Sequence, residues 1–167
     1  IDQLTFSPLA HSLMRDCPEV ESGTRIFGPM TFAWTGEDKS EHQLTAYACD
    51  SLFFKVLDFG LLTGDAASLG DFNNMLLSEE AAKRIFGNED PVGKVLKDNL
   101  DYPKTVAGVF RDIPYNTSLG HFDALVSEHM HQTQYDKESG WDNSSEYYSY
   151  VKLRPGASAV DVEAWMN

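Results

Sequence analysis

The chain reads as an α+β domain of mostly antiparallel sheet with a few short helices. Three observations predict this class. Apolar and polar residues alternate with a period of two in several short segments, the signature of half-buried strands. Helical stripes are brief and carry their own capping residues. Strands and helices do not follow one another in the regular βαβ order that builds a parallel sheet.

Leu9, Leu13 and Cys17 recur at spacing four with Ala10 and Met14 beside them, so residues 7–17 are expected to form an amphipathic helix that tolerates Pro8 in its first turn and ends at Pro18. Residues 19–27 and 30–35 follow as strands, with Met30, Phe32 and Trp34 alternating against Thr31, Ala33 and Thr35 and with Gly28-Pro29 as the turn between them. After a second turn at Gly36-Glu37-Asp38-Lys39, residues 42–49 alternate again and complete a three-strand antiparallel meander. Asp50-Ser51 caps a short helix over 52–57, which ends near Gly60 and gives way to a loop rich in Gly and Asp.

Residues 74–77 form a short buried strand. Ser78 then caps a helix over 79–86 with Glu79 and Glu80 in its first turn, Lys83 and Arg84 in its last, and Gly87 at its C-terminus. Every one of those choices complements the helix dipole or satisfies the helix ends. Residues 93–98 and 105–112 are strands joined by the polar turn 99–103, and 122–126 is another. Residues 128–145, rich in His, Gln, Asp and Ser, are expected to be a long surface loop or a frayed helix. Strand character returns over 146–153, Pro155-Gly156 breaks it, and 159–166 forms a last helix.

The 167 residues carry 13 Lys+Arg against 26 Asp+Glu, a formal net charge of −13. Such a chain lacks the basic face that nucleic acid or an anionic membrane surface requires, so its partners are neutral, basic or cationic. With 42% hydrophobic and 12% aromatic residues it is far from a disordered composition, and its length suits one domain or two small lobes. No apolar run approaches the 18 or so residues of a membrane span. The opening Ile1-Asp2-Gln3 has neither a basic n-region nor an initiator Met, so a piece of a longer protein is expected. Cys17 and Cys49 are too few for an all-thiolate zinc site.

Gly93-Lys94 invites a phosphate-loop reading, which fails because five residues separate Gly87 from Gly93, Val95 replaces the magnesium-binding hydroxyl, and a strand follows. His121, Asp123, His129 and His131 fall within eleven residues and are the candidate metal ligands. Against them, His129 and His131 point to opposite faces of a strand and stand about 200° apart on a helix. No nucleophile elbow occurs, and the carboxylates are scattered as a solvated surface, so no catalytic residue, cofactor-binding residue or metal site is assigned. Trp34, near the tip of a predicted hairpin, and Trp141, in the long polar segment, are candidate contacts for a protein partner. The commoner role of such residues is to cover a satellite core.

A longer pattern carries more information. Phe53-Phe54, Phe59-Gly60, Leu62-Thr63-Gly64-Asp65 and Leu69 lead to Leu77-Ser78-Glu79-Glu80-Ala81-Ala82-Lys83-Arg84-Ile85-Phe86-Gly87-Asn88-Glu89-Asp90-Pro91-Val92-Gly93-Lys94. Val106-Ala107-Gly108-Val109-Phe110-Arg111-Asp112-Ile113-Pro114, Asn116-Thr117-Ser118, Phe122-Asp123 and Tyr150-Val151-Lys152-Leu153-Arg154-Pro155-Gly156 follow. Together they resemble the MacB-like periplasmic core domain of FtsX-type ABC transporter permeases, and the run after the helix is similar to that of permeases from Bacteroidetes-type bacteria.

The resemblance implies a two-lobed domain on the periplasmic side of the inner membrane of a bacterium, set between the first two transmembrane helices of a permease that works as a dimer. One lobe would comprise 1–46 with 146–167 and the other 47–145. It implies no catalytic residues and no cofactor here, since ATP is used by a separate cytoplasmic nucleotide-binding domain. The implied partners are an ABC ATPase, a second permease copy and a periplasmic adaptor or lipoprotein, with the membrane reached through flanking helices. The oxidising periplasm would also let Cys17 and Cys49 pair as a disulfide, in place of two buried small hydrophobes. The competing readings are a secreted metal-dependent hydrolase using His121, Asp123, His129 or His131, and a small-ligand binding module.

Overall fold

The computed structural model describes residues 4–128 and 146–166. Its strands are β1 (Val20–Thr35), β2 (Glu41–Cys49), β3 (Leu61–Gly64), β4 (Asn74–Ser78), β5 (Val95–Asp98), β6 (Pro103–Phe110), β7 (Ala124–Ser127) and β8 (Tyr147–Leu153). The helices are α1 (Leu9–Asp16), α2 (Phe53–Val56), α3 (Glu79–Phe86) and α4 (Ala159–Met166). All eight strands share one sheet with the path β2-β7-β4-β6-β5-β1-β8, and β3 pairs β6 beside it. Because β1 also pairs β2, the path returns on itself. Most pairings are antiparallel, as expected, and β2–β7 and β4–β6 are the parallel exceptions.

The predicted meander is corrected at its first turn. Residues 20–35 are one strand of sixteen residues, and Gly28-Pro29, joined by a cis peptide, sits at a register shift between Phe27 and Met30. The physical reason lies in the partner: β2 pairs with β1 on both sides of the irregularity, from Ile26↔Cys49 to Thr35↔Glu41. A bulge keeps that ladder, and it is one of the few sheet positions that accepts a proline without an N–H. The first half of β1 pairs with β8, from Val20↔Leu153 to Phe27↔Tyr147, so a single long strand serves two parts of the molecule. The lobe boundary expected near Tyr47 falls inside β2, and the one near Ser145 lies outside the described residues.

Helix α3 matches its sequence reading at both ends. Ser78 Oγ accepts from the Ala81 N–H at 3.1 Å, Asp112 Oδ1 accepts from the Glu80 N–H at 2.9 Å, and Gly87 takes φ 62°. The Gly- and Asp-rich loop after α2 is more ordered than expected, containing β3 and a 3-10 turn at Ala66–Gly70 capped by the Asp65 carboxylate. Three buried clusters hold the layers. Trp34, Leu44, Met75, Leu77, Leu96 and Val106 pack beneath Ala81 and Ala82 of α3. Ile26, Cys49, Phe53, Leu76, Phe110 and Phe122 form a second cluster with the loop residues Ile113 and Leu119. Leu13, Cys17, Val20 and Val162 form a third between α1 and α4. Among the described residues no helix is long and apolar enough to cross a membrane.

Candidate functional site

Two polar networks are buried where α1, β1, the β2–α2 corner, β7 and β8 meet. In the first, Arg25 of β1 donates through Nε to Glu128 Oε2 at 2.6 Å and through Nη1 to the Ser7 carbonyl at 3.1 Å and to Ser7 Oγ. Its guanidinium carbon lies 5.4 Å from the centre of the Tyr147 ring. The two charged side chains are only 11% and 12% exposed, so this is an interior ion pair. Glu128 is held in turn by its own N–H, which donates to the Cys49 carbonyl at 3.0 Å.

In the second network Asp50 does two jobs. Its Oδ1 accepts from the Leu52 N–H at 2.9 Å, capping the turn that opens α2, and from Thr24 Oγ1 at 2.8 Å. Its Oδ2 lies 3.0 Å from His11 Nε2 on α1. Asp50 was legible as a cap because its chain neighbours are local, whereas His11, Thr24 and Arg25 carry no sequence signal for their distant partners. Both networks tie residues of 1–46 to residues of 47–145. With polar atoms engaged on each side, the seam can bear load between elements.

The predicted site residues fall elsewhere. Trp34 is corrected as a partner contact: it is fully buried, because its face of β1 packs in the first cluster with Leu44, Leu96 and Ala81 and Ala82 of α3. Trp141, His129 and His131 lie outside the described residues. His121 stacks on Tyr115 with ring centres 4.7 Å apart, and Asp123 spends its oxygens on Arg84 Nη2 at 2.7 Å and the Thr45 N–H at 2.9 Å. Among the described residues no three His, Cys, Asp or Glu side chains converge to hold a metal ion. The disulfide is also corrected. Cys17 and Cys49 are free and buried in different clusters, Cys17 donating to Glu19 at 3.2 Å, and burial pushes both thiols up, Cys49 strongly.

One pairing that the sequence did not suggest is Ser40 Oγ at 2.8 Å from His42 Nε2. It is not an activated nucleophile, since the Ser40 hydroxyl is already given to Asp38 Oδ1 at 2.5 Å. Lys104 is the other unexpected group. It is fully buried, its Nζ donates to the Phe72 carbonyl and lies 3.2 Å from the Phe72 ring centre, and burial pulls its pKa down from 10.5 to about 8. A cation depressed in this way binds its proton more weakly folded than unfolded. Stability therefore rises with pH between about 8 and 10.5, with the penalty fully present below 8. Urea unfolding at several pH values should show a gain on the order of 1–3 kcal/mol across that window. Lys104→Met should lack that gain, and parallel profiles for the two proteins would refute the assignment.

A family model described as MacB-like periplasmic core domain matches residues 2–167. No curated protein sequence matches the chain. Among solved structures, it is similar to a domain of a protein described as a permease from Porphyromonas gingivalis, with TM-score 0.85 and 28% identity over 99% of this chain and 76% of that one. The periplasmic region of MacB from Actinobacillus actinomycetemcomitans matches with TM-score 0.72 and 19% identity over 98% and 72% of the two chains. The extracellular domain of the noncanonic ABC-type transporter YknZ from Gram-positive bacteria matches with TM-score 0.68 and 15% identity over 98% and 79%. At those two identities the likeness speaks to the fold.

Proposed function

The chain belongs to the MacB-like periplasmic core domain family, and from that premise we propose that it serves an ABC transporter permease as a non-catalytic periplasmic domain. It would pass motion driven by cytoplasmic ATP hydrolysis to cargo or partners outside the membrane, in export or in the handling of envelope proteins. The family match across residues 2–167 is the observation that carries this reading. The buried seam supports its mechanical part: Arg25–Glu128 and the His11–Asp50–Thr24 cluster bond 1–46 to 47–145, and β1 and β2 run through the same junction. Two regions joined by both a ladder and buried charge follow each other's displacement.

On this reading the domain hangs from helices outside these residues in the inner membrane of a bacterium. An ABC ATPase and a second permease copy would be its constant partners, and an adaptor or lipoprotein its periplasmic one. Placement is tested in cells carrying the full-length protein with Tyr115→Cys, compared with the parent protein as background, since Tyr115 is 77% exposed and Cys17 and Cys49 are buried. A membrane-impermeant maleimide should label the new thiol once the outer membrane is permeabilised and the inner membrane left intact. Labelling only after lysis would refute the placement. Replacing residues 4–166 by a flexible linker should leave ATP hydrolysis by the transporter measurable while export stops. Unchanged export would refute the coupling role.

A further inference from the structure

We draw no further inference here: the strongest candidate, the exposed apolar surface of α4 that carries Val160, Trp165 and Met166 around the buried Val162, is an unpartnered helix face, and nothing in the structure shows what covers it.

Discussion

Replacing Arg25 by Met is expected to destabilise the domain by about 3–5 kcal/mol, the range for stranding one member of a buried ion pair. The loss arises because Glu128, 12% exposed and 2.6 Å from Arg25 Nε, would be left without its partner in a site that water barely reaches. The Ser7 carbonyl and hydroxyl would lose their donor as well. Adding Glu128→Gln to Arg25→Met should recover part of the loss, since a neutral amide is far less costly to bury than a lone carboxylate. It should not recover all of it, because Ser7 stays unpaired and the contact over Tyr147 is gone. Urea unfolding of the four proteins closes a double-mutant cycle. A single-variant loss below about 1 kcal/mol, the level of an exposed pair, would show that the seam is solvated and not an interior join.

The second large effect is expected at Gly108, where β6 passes β3 closer than any side chain permits. A Cβ there would lie far inside contact distance of the Thr63 carbonyl oxygen and 3.0 Å from both Gly64 Cα and Leu76 Cδ2. Gly64 itself is at φ 88°, and a Cβ on it would run into the Ala107 carbonyl, so each glycine makes room for the other. The obstacle is backbone, which cannot rotate away. Gly108→Ala should therefore cost at least about 2–3 kcal/mol, and amide exchange at residues 61–64 should quicken relative to β4 as β3 lifts from the sheet. Gly70→Ala is the control. Nothing lies within 4 Å of its added Cβ, so that change should be neutral or stabilising by up to about 1 kcal/mol. Equal stability of Gly108→Ala and the parent would mean that the two strands sit further apart.

These two sites mark the limit of what a linear reading reaches. Helix α3 was legible to the residue because its determinants are local: the Ser78 cap, two glutamates, two basic residues and Gly87 act within ten positions. The family was legible as well, since the most specific part of its pattern occupies one continuous run from Leu77 to Lys94, and the match over residues 2–167 bears that out. Trp34 shows where such reading stops. Alternation placed it correctly on a strand with Met30 and Phe32, but a period of two cannot say which side of the strand is covered. Packing in one cluster with Leu44, Leu96 and Ala81 and Ala82 of α3 buried it and removed it as a partner contact.

Local spacing, caps and composition decided the α+β class, most helix and strand positions and the acidic surface, and resemblance to a known sequence pattern pointed to the family. Tertiary structure alone decided that Gly28-Pro29 is a bulge within one long strand, that Cys17 and Cys49 lie in separate clusters, and that Arg25 finds Glu128 103 residues away. The division has a physical cause. A cap or a helical stripe gains its energy from neighbours a few residues off, whereas the choice between bulge and turn, or the partner of a buried charge, is settled by ladders and desolvation that exist only after distant segments have met.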